Sequence, residues 1–481
     1  MNILIIILLP FLSALLILLA GKDYSQRIAL ISAAASVIAI GVMLALFDKD
    51  ATTITSIDLP WIKSMGVHFH LGADGLSLLM ILICNVVTLI SMYVSLGDTF
   101  SQHRLYFALL LLMQTFMNGV FTAKDIFLYY IFWELALIPA YFLLLIWGKG
   151  KHVRPATIKF FLFTLLGSLF MLVAIVWLGN VGSIADFSLA TIYGLEIGTQ
   201  EQLFVFGAFM LAYGIKTPLF PFHSWLPDTY TLAPAPVTIM LSGVMSKMAL
   251  YSIIRFVLPV VPDAVEQYGI YVVYLATLGV MYASVIALTQ KDLKRMFAYV
   301  SIAHVGLIAA GILTYSVLGI QGSLIQMAAH AINTAGLFFI AQILFRLKGN
   351  FDINSFGGLR QYMPVFAGLY MVIMFGSIGV PLTNGFVGEF MIFTSLYRLD
   401  VFAALIAGSG IILGAVYMLT SYQKIMLGPD TVTTLSDITN SDKTLLYCIA
   451  CIVIITGLYP SWITSLCDIS VHNIIHPYLQ K

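Results

Sequence analysis

Two lysines lie inside apolar stretches near the middle of the chain. Lys216 belongs to Phe204–Phe220 and Lys247 to Val237–Phe256, and both stretches are long and hydrophobic enough to cross a bilayer. An ammonium at that depth costs roughly 3 kcal/mol on insertion scales. A sequence keeps such a charge where it is paired, lines a wet cavity or takes part in chemistry. Two of them in neighbouring predicted spans therefore indicate a path for protons or other ions.

Acidic residues are scarce in the apolar stretches, and two stand out. Glu134 lies in the segment FWELALIP and Glu389 in the segment FVGEF. A carboxylate close to Lys216 would stabilise its ammonium, so making or breaking that pair would decide whether the proton stays or leaves. A buried Lys–Glu pair therefore fits a proton switch. A static structural salt bridge is the alternative interpretation.

Two histidines occupy similar apolar surroundings: His304 in SIAHVG and His330 in MAAHAINT. An imidazole relays protons well because it titrates near neutral pH and has two nitrogens. Both histidines lie between the lysines and Glu389 in chain order, which fits a hydrated polar line. A hydrogen-bonded core histidine without a relay function is the alternative for each.

Two further residues are weaker candidates. Lys159 begins a predicted span, from which its side chain can extend to the membrane interface. His223 is the first residue of the segment HSWLPD, which follows a span broken by proline. It would either pass protons at the entrance of the proton path or have a purely structural role. Asp228, at the end of that segment, is predicted to cap the following helix.

The composition shows which elements must position these residues. The chain has 481 residues, of which 60% are hydrophobic and 9% charged, and a net charge of +1. It is therefore predicted to be an all-α polytopic membrane protein without a soluble domain, and nothing indicates a nucleic-acid partner. Apolar runs of suitable length give about fourteen predicted spans. They lie near 3–20, 28–46, 76–96, 104–121, 125–147, 155–178, 203–221, 233–257, 268–289, 296–314, 320–346, 364–397, 401–424 and 444–463.

Basic residues in the links between spans predict the orientation. The links after the odd-numbered spans hold most of the lysines and arginines. Those after the even-numbered spans carry only Lys49, Lys63, Lys124, Arg255 and Arg398. By the positive-inside rule, the odd links are cytoplasmic and both termini lie outside the cytoplasm.

Two spans are predicted to be discontinuous, near 214–221 (GIKTPLFP) and near 376–385 (GSIGVPLTNG). Proline removes a backbone donor and clashes with the preceding turn, so each helix should unwind locally. Paired broken helices beside charges are typical of transporters built from inverted repeats. We therefore predict a single transmembrane domain, 1–481, with five-helix repeats at about 104–257 and 268–424.

The sequence lacks the patterns of cofactor sites. It contains no Gly-rich phosphate loop, no haem or iron–sulfur cysteine pattern and no helical His/carboxylate metal pair. Cys448 and Cys451 form a CxxC spacing inside an apolar run, where they are interpreted as core residues. No cofactor is therefore expected on this chain.

The segments FWE with Pro139, KTPLFPFHSWLPD from Lys216 and the pair Ser246-Lys247 resemble one membrane-protein family. It is the family of antiporter-like subunits of respiratory NADH:quinone oxidoreductase, which are related to Mrp-type sodium/proton antiporters. The resemblance covers nearly the whole chain. Glu389 resembles the M type of these subunits, because the L and N types and most Mrp chains tend to carry lysine there.

The resemblance implies a role for each candidate. Glu134 would pair with and modulate Lys216, and Lys247 would be the central proton carrier. His304 and His330 would relay the proton to Glu389 on the exit side. The segment departs from the family pattern after Asp228, where Thr229-Tyr230 replaces the usual Ala-His or Thr-His, so any entry role of that second histidine is absent or moved.

The same resemblance implies the partners and the setting. The chain would lie in the bacterial inner membrane beside L-type and N-type subunits, in contact with lipid, and would move protons. FMN, iron–sulfur clusters and quinone are expected on partner subunits. The alternatives are an Mrp-type antiporter subunit, a non-pumping membrane scaffold, and a related redox complex fed by ferredoxin or hydrogenase.

Overall fold

Helices make up most of the chain in the computed structural model, which describes residues 2–19, 21–48, 54–96, 100–181, 186–429 and 437–479. Lys49 of the orientation prediction and both chain termini lie outside the described residues. The helices, in chain order, are α1 (Leu4–Leu19), α2 (Lys22–Ala45), α3 (Gly75–Ser95), α4 (His103–Thr122), α5 (Ile126–Trp147), α6 (Val153–Val181), α7 (Leu189–Tyr193), α8 (Thr199–Lys216), α9 (Leu226–Leu232), α10 (Ala235–Val260), α11 (Pro262–Thr289), α12 (Leu293–Leu313), α13 (Val317–Lys348), α14 (Leu359–Tyr362), α15 (Pro364–Ser377), α16 (Asn384–Leu399), α17 (Val401–Tyr422), α18 (Asn440–Leu458) and α19 (Ser461–Leu479).

Eleven helices of the described part of the chain are long and apolar enough to cross a membrane. Two shorter apolar helices, Leu4–Leu19 and Pro364–Ser377, accompany them. The predicted all-α polytopic membrane fold is therefore confirmed. The count of about fourteen spans and the two inverted repeats stay predictions.

A small β-hairpin lies between α2 and α3, where the sequence analysis placed only a link between two spans. Its strands are β1 (Ile54–Ile62) and β2 (Val67–Ala73), paired antiparallel. The turn includes Gly66 at φ 66°, a left-handed conformation that glycine adopts without steric cost.

Both predicted helix breaks are present. Helix α8 ends at Lys216, just before Pro218 at φ 34°, and a short 3-10 turn follows at Phe222–Trp225. Helix α15 ends at Ser377 and α16 begins at Asn384, so unwound backbone separates the two halves. At each break, main-chain N–H and C=O groups lack their helical hydrogen-bond partners. A membrane protein tolerates such groups where they are buried in protein or line a water-filled cavity.

Helix α10, which carries Lys247, is buried along its whole length. Two π-helical segments, Leu241–Met245 and Ile253–Val257, interrupt its α-helical geometry. Such wide turns are rare and are frequently found at functional sites. The placement of Arg255 in a link was wrong, because this residue lies in the second π segment and is 5% exposed.

Asp228 does not cap α10, so that prediction was also wrong. The residue lies in the first turn of α9, where its carboxylate accepts a hydrogen bond from Arg295 at 2.9 Å. Helix α10 instead follows Pro234 at its N-cap position. Proline suits a helix start because its missing N–H is not needed there.

The chain divides into two compact units. Unit 1 comprises Met1–Thr217, Leu232–Ile270 and Ser465–Lys481, and unit 2 comprises Pro218–Thr231 and Tyr271–Thr464. In unit 1 the most deeply buried spans are α10, α3 and α4, and in unit 2 they are α12 and α13. The division into repeats at about 104–257 and 268–424 stays a prediction.

Candidate functional site

Unit 1 brings Lys216 and Glu134 into electrostatic interaction. Lys216 is the last residue of α8 and is 3% exposed. Its Nζ lies 4.5 Å from the ring centroid of Trp133 on α5, so the ammonium gains a cation–π contact. Glu134, the next residue of α5, acts on the same ammonium through its charge. Trp133 and Glu134 are consecutive residues of α5, so the predicted partner of Lys216 adjoins the ring that contacts its ammonium, and the pairing itself stays a prediction.

Lys247 lies on α10 between the two π segments and is 1% exposed. Its Nζ donates a hydrogen bond of 2.5 Å to the main-chain carbonyl of Ser242, five residues earlier. A deeply buried lysine changes its protonation state readily with its surroundings, which suits a group that takes up and releases a proton.

A second buried ionic cluster in unit 1 was missed by the sequence analysis. Asp74 caps α3 by accepting a hydrogen bond from the Ser77 N–H at 2.9 Å. Its Oδ2 lies 2.6 Å from Arg255 Nη2 and 3.4 Å from Lys124 Nζ. Burial alone would raise the pKa of Asp74, but the Arg255 guanidinium and the Lys124 ammonium hold it well below its ordinary value. Burial lowers the pKa of Lys124 to about 8, against the opposing effect of Asp74.

Unit 2 brings His304 and Glu389 close together, with Gln326 between them. The Nδ1 atom of His304 on α12 lies 3.9 Å from Oε1 of Glu389 on α16. The Nε2 amide of Gln326 on α13 donates to the same carboxylate oxygen at 3.1 Å and to His304 Nδ1 at 3.4 Å. A carboxylate, an imidazole and a bridging amide within hydrogen-bonding reach form an arrangement that can hold and pass protons.

His330 lies beside this group on α13. Its ring centroid is 5.5 Å from that of His304, and the residue is 2% exposed. Three residues further along the same helix, the side-chain amide of Asn333 donates to Asn384 Oδ1 at 3.0 Å. The face of α13 that carries His330 and Asn333 therefore contacts His304 and also Asn384, the first residue of α16, at the helix break.

A small cavity borders Glu389 in unit 2. It has a volume of about 20 Å³, enough for one water molecule. Its lining includes Glu389, His304, Ser284 and Tyr417. A water molecule there would have several polar partners, as an ordered buried water requires.

The two weaker candidates belong to different units, Lys159 to unit 1 and His223 to unit 2. His223 is buried in unit 2 against the rings of Phe220 and Tyr282, with centroid distances of 5.8 and 5.1 Å. Lys159 is half-buried on α6. A mouth role for His223 stays a prediction. Among the described residues there is no group of three or more His, Cys, Asp or Glu that would hold a metal ion.

Comparison with known proteins identifies the family. The sequence profile described as "NADH:quinone oxidoreductase/Mrp antiporter, TM" matches residues 123–414. A protein of Rickettsia prowazekii (strain Madrid E) named NADH-quinone oxidoreductase subunit M is 36% identical over 483 residues, covering 98% of each chain. The chain belongs to the NADH:quinone oxidoreductase/Mrp antiporter family. Subunit M of Rhodobacter capsulatus is 33% identical over 439 residues, covering 88% of this chain and 84% of that protein.

Solved structures of the family share the fold. A chain of respiratory complex I from Thermus thermophilus with bound NADH has 27% identity, a TM-score of 0.91 and coverage of 98% of this chain and 100% of its own. A chain of the Mrp complex from Dietzia sp. DQ12-45-1b has 20% identity and a TM-score of 0.88, covering 99% of this chain and 97% of its own. The second likeness concerns the fold alone. The family resemblance predicted from the sequence is confirmed.

The family member described here has functional candidates that sequence reasoning missed, although signals for them exist. Arg255 lies in an apolar run, the same signal that singled out the two lysines. Gln326 lies four residues before the predicted His330, and Asn333 lies three residues after it, so the three share one face of α13. Only the packing of α13 against α16 shows that this face meets Glu389.

Proposed function

We propose that this chain is the M-type membrane-arm subunit of an NADH:quinone oxidoreductase and moves protons along a line of buried ionisable side chains. The line comprises Glu134, Lys216, Lys247, His304, His330 and Glu389. The observation that carries the proposal is Lys247, a lysine almost completely buried in a membrane-length helix, whose Nζ donates to the main-chain carbonyl of Ser242. A charge so placed is expensive unless it serves a function.

The proposed cycle is electrostatic. Quinone chemistry elsewhere in the complex changes the charge beside this subunit and so alters the interaction between Glu134 and Lys216. The altered charge of that pair changes the proton affinity of Lys247. The proton then passes by His304 and His330 to Glu389 and leaves. Moving one charge against 100 mV costs about 2.3 kcal/mol, which one buried interaction between charges can supply.

The proposal includes the setting of the subunit. It crosses the membrane many times, in the bacterial inner membrane, with both termini outside the cytoplasm. L-type and N-type subunits and lipid are its neighbours. FMN, iron–sulfur clusters and quinone are held by partner subunits, and this chain itself carries no redox group.

An Mrp-type sodium/proton antiporter subunit is the second candidate. The family profile favours it, because its description covers both NADH:quinone oxidoreductase and Mrp antiporter chains. Against it stands Glu389, where most Mrp-type chains carry lysine by the resemblance described above. Transport that depends on sodium and proceeds without redox turnover would establish this candidate, whereas proton pumping in sodium-free buffer would exclude it.

The Lys247→Ala variant tests the proposed function. NADH:quinone turnover and proton pumping are measured on the assembled complex in sealed vesicles, with Lys63→Ala, in the exposed turn of the β-hairpin, as the lysine control. We expect Lys247→Ala to lose pumping while the complex still assembles, and Lys63→Ala to pump normally. Unchanged pumping by an assembled Lys247→Ala complex would overturn the proposal and favour the scaffold interpretation.

A further inference from the structure

Three hydroxyl groups form a connected chain at one end of unit 2. Ser316 Oγ lies 2.6 Å from Ser395 Oγ, which donates to Thr314 Oγ1 at 2.7 Å. Thr314 in turn donates to the main-chain carbonyl of Gly311 at 2.8 Å. A hydroxyl can accept one proton while it donates another. The chain is therefore able to carry a proton from one of its ends to the other.

The hydroxyl chain borders an open pocket with a volume of about 560 Å³. We call this pocket the vestibule; its lining includes Thr314, Ser316, Gln321, Ser395 and Arg398. Arg398 is exposed in the last turn of α16, and a charged side chain at a helix end reaches the membrane surface. The predicted orientation places this residue outside the cytoplasm. The vestibule therefore lies at the outer end of unit 2.

Ile392 separates the vestibule from Glu389 along α16. Glu389, Ile392 and Ser395 follow one another at intervals of three residues, so each adjoins the next on the helix surface. Six residues of α-helix rise about 9 Å, and Ile392 lies in the middle of that distance. Its side chain is completely buried.

Two glycines bring α12 and α13 close to Ile392. A Cβ on Gly311 of α12 would lie 2.8 Å from Ile392 Cγ1, and a Cβ on Gly322 of α13 would lie 3.0 Å from Ile392 N. Gly311 is also the residue whose carbonyl ends the hydroxyl chain. An isoleucine side chain therefore packs between the inner end of that chain and the turn of α16 that carries Glu389.

An exit for protons from Glu389 has to be closed for part of the cycle. A permanently hydrated path to the vestibule would let protons return to Glu389 from outside and dissipate the gradient. Apolar constrictions in channels stop ions because they exclude water from a short length of the path. The buried Ile392 side chain, enclosed by closely packed backbone, has the properties of such a constriction.

We propose that Glu389 releases its proton through the vestibule, and that Ile392 is an apolar barrier which closes this exit at rest. The inference rests on the proposed function, to which it adds the outward path. The hydroxyl chain of Ser316, Ser395 and Thr314 carries the proton between the barrier and the vestibule.

Hydrogen–deuterium exchange at Glu389 tests the barrier without turnover. The infrared carboxyl band of Glu389, assigned by its loss in Glu389→Gln, shifts when deuterium replaces its proton. The rate of this shift is measured after transfer of the assembled complex to heavy water, at a pH at which the band is present. We expect about tenfold faster exchange in Ile392→Ser, because water then reaches the carboxyl group more often, and an unchanged rate in Ile392→Val.

Ile373→Ser is the matched control for this experiment. Ile373 is also completely buried, and it packs against Gly336 of α13. The substitution therefore makes the same change in a tightly packed contact of α13 that does not adjoin the vestibule. The Ile373→Ser complex should exchange at the rate of the unaltered complex.

Thiol labelling tests the exit route. Ser395→Cys is treated in sealed vesicles with a membrane-impermeant thiol reagent on one side at a time. Attachment to the subunit is followed by mass spectrometry, and NADH-driven pumping is then measured. We expect Ser395→Cys to be labelled from the outer side alone and to lose most of its pumping. Lys63→Cys, in the exposed hairpin turn, should be labelled and keep its pumping.

Several results would overturn the inference. Unchanged exchange in assembled Ile392→Ser excludes the barrier, as does equally fast exchange in the unaltered complex. Full pumping by labelled Ser395→Cys, labelling from the cytoplasmic side or no labelling excludes the exit, and this experiment decides where Ile392→Ser fails to assemble. Exchange is independent of pumping, so the proposals fail separately. Pumping by Lys247→Ala overturns the proposed function, whereas unchanged exchange beside a pumping-dead Lys247→Ala overturns only the barrier.

Discussion

Arg255 and Asp74 form a buried ion pair that ties α10 to the first turn of α3 within unit 1. Arg255 Nη2 lies 2.6 Å from Oδ2 and 2.7 Å from Oδ1 of the same carboxylate. The two side chains are 6% and 8% exposed. The Arg255 Nε–H also donates to the Tyr251 hydroxyl at 3.2 Å. The pair thus anchors the second π segment of α10, the helix whose preceding turns carry Lys247.

Removing one member of this pair should destabilise the subunit strongly. Asp74→Asn leaves the Arg255 and Lys124 charges buried without a counter-charge, and a broken buried pair costs about 3–5 kcal/mol. The double variant Asp74→Leu/Arg255→Met should recover part of the loss, because it removes both charges. The detergent-solubilised complex is heated, and unfolding is detected as the temperature at which the subunit loses its resistance to proteolysis.

Asp228→Asn is the matched control for this prediction. Asp228 pairs with Arg295 at 2.9 Å, but the two side chains are 36% and 37% exposed. An exposed pair contributes about 1 kcal/mol or less. If Asp74→Asn and Asp228→Asn lowered the stability of the subunit equally, burial would not make the Asp74–Arg255 pair more important than the exposed pair.

The same cluster should make stability depend on pH. The pKa of Lys124 is lowered by burial to about 8 from an ordinary 10.5. Between these values the unfolded chain keeps a proton that the folded chain has lost, so stability rises as pH increases from 8 to 10.5. The pKa of Asp74 is held below its ordinary 3.8. The stability that the Asp74 carboxylate contributes is therefore complete above pH 3.8 and is lost as the pH falls below that value.

Lys124→Met checks the alkaline part of this dependence. Thermal midpoints of the unaltered and variant complexes are measured across pH 7 to 10.5. The rise specific to Lys124 should vanish in the variant, whereas Lys63→Met, in the hairpin turn, should leave the profile unchanged. Identical profiles for Lys124→Met and the unaltered complex would contradict the assignment.

Sequence reasoning predicted the elements well and the contacts between them less well. The span positions, the two breaks and the candidates Lys216 and Lys247 follow from apolar run length, proline and buried charge, all of which are local signals. The partners of these residues depend on packing between distant helices. Gln326, for example, approaches Glu389 across 63 residues of sequence, and no local pattern encodes that approach.

The hairpin and the cluster of Asp74 show the same limit. Residues 54–73 were interpreted as a link because they contain no apolar run long enough to span a membrane, whereas β pairing depends on the partner strand. Arg255 was assigned to a link because charge usually marks a helix end. Here Asp74, 181 residues earlier in the chain, stabilises the charge inside the helix.

The interaction between Glu134 and Lys216 should control pumping without controlling assembly. Glu134→Gln removes the charge but keeps the size of the side chain, so the Lys216 ammonium loses its nearby counter-charge. We expect pumping to fall at least tenfold in vesicles, about the effect of 1.4 kcal/mol on a rate, with normal amounts of complex in the membrane. Trp133→Phe retains an aromatic face for Lys216 and should have a smaller effect. Full pumping by Glu134→Gln would contradict the proposed control.

Gly379 should be required at the break between α15 and α16 for two separable reasons. Its φ of 67° is left-handed, and an added Cβ would meet the carboxylate of Glu389. Gly349, at φ 72°, has nothing within 4 Å of the corresponding position. Gly349→Ala therefore measures the backbone strain alone, about 1–2 kcal/mol.

Gly379→Ala causes the same backbone strain and, in addition, displaces the Glu389 carboxylate. We expect both alanine variants to lower the thermal midpoint, and only Gly379→Ala to reduce proton pumping per quinone reduced. Moving the carboxylate lengthens its hydrogen bond to Gln326, so the infrared carboxyl band of Glu389 should also shift in this variant alone. If Gly379→Ala pumps as well as Gly349→Ala, the position of the Glu389 carboxylate against the unwound backbone has no part in proton transfer.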